Sequence, residues 1–294
     1  MGKEYLMQRT RTFSALLSAA VLCACLWLAG CGQQGEETQQ TNSALDPRIA
    51  EYLSLDSKQA GTLSNDIQDV DVTTKGNDFT LHVIQTLGNQ RELYILYDVT
   101  FADSVKLPTS DESWPGSITR DFQSADGQKP MSRSTKNEMI GQEGQTQTYI
   151  DYVSWENDTF PKGDMIFSVG NFSNDEDPAV PTLTKETLKV SWTPTNQGTL
   201  LQRDMTDPDG KNVGTMTLSS YSVSFQLTEA LQIPDTEDGW KAQISCLLDD
   251  QGKEVYKRGA SGGGAYWSTS FGKYVDLSKV ATVELGEYVA SLSE

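Results

Sequence analysis

The chain has 294 residues, 41 of them acidic and 23 basic, for a formal charge of −18. Such a surface repels phosphate backbones and anionic lipid headgroups, and lysine and arginine never cluster enough along the chain to offset it, so nucleic acid is not expected as a partner. With one histidine and, beyond residue 31, a single cysteine, the common zinc sets cannot be assembled without an all-carboxylate set, and no metal or other cofactor is expected.

Lys3, Arg9 and Arg11 precede an apolar run from Phe13 to Leu28, the charged and apolar regions of a secretory signal spanning 1–30. The run ends in Leu28-Ala29-Gly30-Cys31. Small residues before a cysteine at this place resemble the lipobox of bacterial lipoproteins. The resemblance implies that the Cys31 thiol is lipidated, that the leader is cleaved before it, and that the protein stays on the extracytoplasmic face of the cell membrane. An uncleaved membrane-spanning helix is the other reading of the run. One acyl chain holds a protein only reversibly, whereas two or three make a stable anchor. Cleavage removes Glu4 together with Lys3, Arg9 and Arg11, leaving 40 acidic against 20 basic residues, about −20.

Cys23 and Cys25 fall in the leader, so Cys246 is the remaining thiol and no internal disulfide is expected. Alternation through Trp240, Ala242, Ile244, Cys246 and Leu248 puts Cys246 on an apolar strand face, as core. Residues 31–60 read as the lipidated cysteine and a flexible polar tether, since Gly32 to Ser43 carries no aromatic and few apolar side chains. Within it, Asp46-Pro47 before Ile49, Tyr52 and Leu53 predicts a short helix with an aspartate cap and proline in its first turn.

From about residue 68 the apolar residues recur with period two, interrupted by turn residues every ten or so positions. Phe79, Leu81 and Val83 form one strand, and Leu93, Ile95, Tyr97, Val99 and Phe101 the next, joined by a hairpin at Gly88-Asn89. Met165, Phe167 and Val169 close this half. The charged stretch from Ser173 to Pro181, with its two prolines, reads as a domain boundary, giving sandwiches at 61–177 and 178–294. Leu188, Val190 and Trp192 then open the second half. Asp209-Gly210 and Gln251-Gly252, each followed by lysine, are similar hairpin turns that hint at a repeated module. Met216 and Leu218 sit at even positions but Tyr221, Val223 and Phe225 at odd ones, which predicts a bulge or sharp bend near Ser219.

Short antiparallel strands without intervening helices predict an all-β chain of two tandem immunoglobulin-like sandwiches, lacking the usual cysteine pair. Ser219-Ser-Tyr-Ser-Val-Ser-Phe-Gln-Leu and Val275-Asp-Leu-Ser-Lys-Val-Ala-Thr-Val-Glu-Leu-Gly resemble segments from the extracytoplasmic region of Gram-positive anti-sigma-factor-like membrane proteins. The resemblance covers roughly residues 68 to 290 and implies tandem immunoglobulin-like domains of unassigned function. Here a lipobox replaces that family's sigma-binding segment and membrane helix, so sigma-factor inhibition does not carry over.

Catalytic patterns occur without their context. Gly259-Ala-Ser261-Gly-Gly263 matches a nucleophile elbow, but no histidine follows it; His82 lies upstream in a predicted strand. Ser270 and Lys273 have serine–lysine spacing but a glycine between them. Asp207-Pro-Asp209-Gly-Lys-Asn212 lacks the spacing of a calcium loop and reads as a turn. Gly263, Tyr266 and Trp267 form the candidate partner-binding segment, glycines allowing close approach and aromatics supplying contact area; Trp267 reads more naturally as core. The expectation is a membrane-anchored, non-catalytic envelope protein that binds, senses or spaces, with an envelope protein or glycan as partner. The alternative is a carbohydrate-active or other hydrolase with a carboxylate pair.

Overall fold

The computed structural model describes residues 43–108, 117–127, 132–155, 163–173, 182–232 and 239–292. The leader, Cys31 and the first part of the expected tether lie outside them.

In chain order the first strands are β1 (Ile67–Lys75), β2 (Phe79–Gly88), β3 (Glu92–Phe101), β4 (Ser117–Ser124), β5 (Ser132–Glu143), β6 (Thr146–Ser154), β7 (Met165–Ser173) and β8 (Thr184–Trp192). They pair antiparallel into one sheet ordered β1-β2-β3-β6-β5 and another ordered β4-β7-β8. Strands β2-β3-β6-β5 follow the A-B-E-D order of an immunoglobulin constant domain and β4-β7-β8 its C-F-G order, with β1 added beyond A. The odd-numbered face of β3 and the facing layer form the first core. Where antibody domains carry a disulfide, Tyr97 and Phe167 meet edge to face with ring centroids 5.0 Å apart.

The second set is β9 (Leu201–Thr206), β10 (Asn212–Leu218), β11 (Ser222–Leu227), β12 (Ile244–Leu248), β13 (Glu254–Gly259), β14 (Ser261–Gly263), β15 (Tyr266–Ser270), β16 (Thr282–Leu285) and β17 (Tyr288–Ser291). Here β10-β11-β15-β14 repeat A-B-E-D and β12-β16-β17 repeat C-F-G, with β9 again beyond A and β13 beyond C. Val289 of β17 pairs with Thr206 of β9, so the two layers join along one edge into a nine-stranded sheet. In the first repeat the corresponding edges meet through side chains, Thr74 Oγ1 donating to the Lys189 carbonyl at 2.9 Å. Both halves are thus all-β sandwiches of one topology.

Three expectations are corrected. First, the boundary is not at 177/178. β8 pairs along β7 and puts Leu188, Val190 and Trp192 into the first core, so the charged stretch after Ser173 connects the last two strands of the first sandwich. The changeover is 193–200. Charge and proline identify a connection between elements without saying which elements it joins.

Second, the compact unit starts at Ser43, well before residue 60. The expected short helix is present as α1 (Pro47–Tyr52), with the Asp46 carboxylate accepting from the Arg48 N–H at 2.9 Å. A second turn, α2 (Ser57–Ala60), carries a capping box from Asp56 and Gln59. Ile49, Leu53 and Leu63 are buried against Leu87, Tyr94, Leu96, Ile150 and Tyr152, the outer face of the first sheet. The part of that face formed by Leu87, Tyr94, Leu96, Ile150 and Tyr152 is apolar, so it needs a cover, and the segment 46–63 supplies it.

Third, Cys246 does not face the second core. Leu247 does, and Cys246, though 8% exposed, sits on the opposite face of β12. Within β12 the apolar residues Ile244, Cys246 and Leu248 alternate as expected but lie on the face opposite Leu247, so the alternation holds and its assignment to the core does not.

Candidate functional site

The two hairpins between the first and second main strands of each repeat are built alike. Asn89 N–H donates to the Glu92 carbonyl at 3.0 Å, and Ser219 N–H to the Ser222 carbonyl at 2.9 Å. The Asn89 side-chain oxygen accepts from the N–H groups of Arg91 and Glu92, and Ser219 Oγ from those of Tyr221 and Ser222. A tight turn at Ser219, with no bulge, therefore explains the change of parity. Trp155 N–H donates to the Arg91 carbonyl and Phe271 N–H to the Tyr221 carbonyl, which makes Arg91 and Tyr221 equivalent positions.

Each of these residues reaches into the other sandwich. Arg91 Nη2 donates to the Tyr266 hydroxyl at 3.1 Å, and the Tyr221 hydroxyl donates to Asp66 at 2.7 Å. Glu92, fully buried, accepts from Asn89 Nδ2, from the Tyr152 hydroxyl and, across the seam, from Ser219 Oγ. Burial pushes the Asp66 carboxyl up to about 6; the Tyr221 hydrogen bond works against this and the nearby Glu92 charge adds to it. Burial likewise holds the Tyr152 and Tyr221 hydroxyls well above the usual phenol range. The connection 193–200 is also fixed: Asn196, 3% exposed, donates to the Asp66 carbonyl at 2.7 Å, and Gln68 bonds Thr193 and Thr195. The Tyr274 N–H donates to the Leu53 carbonyl at 3.4 Å, tying the N-terminal segment to the second sandwich as well.

At this seam lies a hollow of about 260 Å³. Arg91, Tyr152 and Ser154 line it from the first sandwich; Ser222, Ser261, Ser268, Thr269, Ser270 and Arg258 line it from the second. Arg91 is 3% exposed. Its side chain bonds two neutral acceptors, the Trp155 carbonyl at 3.3 Å and the Tyr266 hydroxyl, and makes no ion pair among the described residues. Burying a guanidinium without a counter-charge is costly unless something else supplies one. Arg258 Nη1 lies 3.5 Å from the Ser270 carbonyl. A larger hollow of about 640 Å³ on the outer face of β12 and β13 shares Arg258 and Gly259 with the first and is bordered by Trp240, Lys257, Cys246 and Glu284. Trp240 is 57% exposed, and burial pushes the Cys246 thiol up.

The sequence candidates separate. Trp267, 5% exposed, is in the second core, its indole N–H donating to the Gly264 carbonyl at 3.1 Å, and so offers no surface to a partner. Tyr266 holds Arg91, and Gly263 is exposed on the short strand β14. Its neighbour Gly262 has to be glycine, since a Cβ there would lie 2.2 Å from the Tyr266 carbonyl oxygen. Ser261 occupies strand β14, whereas an elbow sits between strand and helix, and it lines the hollow. His82 bonds Asp71 at 2.8 Å on the first sandwich, and the Lys273 ammonium stands 5.5 Å from the Tyr256 ring centroid. Asp207 Oδ1 accepts from the N–H groups of Asp209 and Lys211, as Asp249 Oδ1 does from Gln251 and Lys253, so both acids close turns. Sequence reading passed over Arg91, Arg258 and Trp240. The only local signal for Arg91 was its place in a hairpin turn, which looks like solvent-exposed charge.

Fold and site together describe a tandem immunoglobulin-type chain with a polar, arginine-bearing hollow between its repeats. No family model matches it, and no curated protein does. Among solved structures, the crystal structure of the conserved domain protein from Bacillus anthracis is similar over 74% of this chain and 75% of its own length, with a TM-score of 0.44 and 12% identity.

Proposed function

We propose that this is a lipid-anchored envelope protein that recognises a ligand without transforming it, with the seam hollow as the recognition site. The observation that carries the reading is Arg91: a charged side chain almost wholly buried, held in place by two neutral acceptors, and bordering an open polar hollow. A guanidinium so placed is preorganised for an incoming group. The leader and Leu28-Ala29-Gly30-Cys31 support attachment through Cys31 to the extracytoplasmic face of the membrane. The resemblance to extracytoplasmic regions of anti-sigma-factor-like proteins points the same way. A non-catalytic role is supported by the separate places of Ser261, His82 and Lys273, which do not come together as nucleophile, base and orienting group among the described residues.

Two measurements test this. Fatty-acid labelling in cells is expected to mark the wild-type protein and spare Cys31→Ser, which should leave the membrane fraction; a labelled or membrane-bound variant refutes the anchor. For recognition, the soluble mature chain carrying Cys31→Ser is titrated with a digest of Gram-positive wall polymers while amide and arginine Nε resonances are followed. Shifts centred on Arg91, Ser154 and Ser268 are expected. Shifts elsewhere, or turnover of a component, refute the reading.

A further inference from the structure

Resting on that reading, we infer that the seam hollow takes an acidic sugar, its carboxylate received by Arg91 and its hydroxyls by the serines around it. Arg91 needs a counter-charge that the described residues do not supply, and a planar guanidinium fork matches a planar carboxylate. The neighbouring acid, Glu92, is already engaged by Asn89, Tyr152 and Ser219.

Much of the remaining wall, which includes Gly259 and Gly272, carries hydroxyls from both sandwiches: Ser154, Ser222, Ser261, Ser268 and Ser270. Each can donate or accept, which suits a ligand whose own groups do both, as sugar hydroxyls do. Ser222 and Ser270 also stand beside the Tyr152 and Tyr94 hydroxyls, and an apolar ligand would displace water from Ser154, Ser261 and Ser268 without replacing its hydrogen bonds. At about 260 Å³ the hollow lies just below the range of about 300–1,000 Å³ typical of sites for drug-sized molecules, a size that fits one sugar ring.

The surroundings continue the pattern. Arg258 and Gly259 border both hollows, and the larger one adds Lys257, the exposed Trp240 ring and one carboxylate, Glu284. An aromatic face beside cations is the surface on which the next ring of an acidic glycan would stack. The overall negative charge does not prevent this, because at physiological ionic strength charges beyond about 8 Å are largely screened, whereas Arg91 and Arg258 border the hollow itself.

Calorimetric titration of the soluble mature chain with galacturonic acid, galactose and inorganic phosphate tests the inference. Galacturonic acid is expected to bind, galactose at least about tenfold more weakly, and phosphate more weakly than galacturonic acid. Arg91→Lys, which keeps the charge and loses the fork, should weaken galacturonic acid by about tenfold or more; Arg258→Gln on the accessible rim gives a second reading should the buried variant not fold. Equal binding of galactose, or tighter binding of phosphate, overturns the acidic-sugar assignment and leaves the hollow as a site. Binding unchanged in both variants overturns the hollow. Should no probe bind while the wall digest still shifts Arg91, the sugar class is wrong; should the digest also be silent, both readings fall.

Discussion

Replacing Asp66 with asparagine tests the seam through its pH dependence. Asp66 is 8% exposed, and its carboxyl titrates at about 6 in the folded protein against 3.8 ordinarily. A raised carboxyl pKa means that the folded state holds the proton after the unfolded chain has released it. Its contribution is therefore neutral below about pH 4, turns increasingly unfavourable between about 4 and 6, and is constant above. At about 1.36 kcal/mol per unit the whole change is roughly 3 kcal/mol. For a folded unit of this size that corresponds to a shift of about 6 °C in melting temperature. Asparagine can still accept the Tyr221 hydroxyl proton but carries no charge. Relative to wild type, Asp66→Asn should gain about 3 kcal/mol as the pH is raised from 4 to 7.5, with its advantage flat beyond. Urea unfolding at a series of pH values measures this difference. Asp46 and Asp276, which are held below their usual range and so contribute a slope of opposite sign, are common to both proteins and cancel. A difference independent of pH would show that Asp66 is not desolvated by the seam.

Trp267→Ala should lose about 3 to 5 kcal/mol, because the indole fills the second core and the cavity closes only in part; melting at the wild-type temperature would return Trp267 to the surface. Gly262→Ala drives a methyl group against the Tyr266 carbonyl and should cost about 1 to 3 kcal/mol while weakening whatever binds at Arg91, since Tyr266 holds that side chain; an unperturbed unfolding curve argues against the close pairing of β14 and β15. Cys246 should react slowly with a neutral disulfide reagent at pH 7.5 in the native protein and quickly in urea, and reductant should leave the melting temperature unchanged; fast native labelling would mean that the thiol is open on the outer groove.

The strands were legible because one buried face imposes period two, as Phe79, Leu81 and Val83 show. Beyond that, local pattern marked apolar faces without saying which of them is inside. The change of parity near Ser219 was readable and is a tight turn, whereas the alternation through Ile244, Cys246 and Leu248 is real but runs along the outer face of β12. Tyr94, Leu96, Ile150 and Tyr152 announced a second apolar face, but nothing local named Ile49 and Leu53 as its cover. The hollow was illegible for the same reason. Arg91, Ser154 and Ser222 are polar residues at strand ends and Ser268 one in mid-strand, unremarkable singly, and only strand register and the docking of two repeats bring them together.

That docking also decides which surfaces can meet. The repeats share a backbone plan but not the residues at matching positions. Were two first repeats to join in this manner, Arg91 would find Ile150 where it now finds Tyr266; were two second repeats to join, Tyr221 would find Leu201 where it now finds Asp66. Each mismatch strands a buried polar group at a cost of about 1 to 3 kcal/mol, more for the charged one. Discrimination of this kind rejects like-with-like pairing between neighbouring molecules and favours each chain pairing its own two repeats.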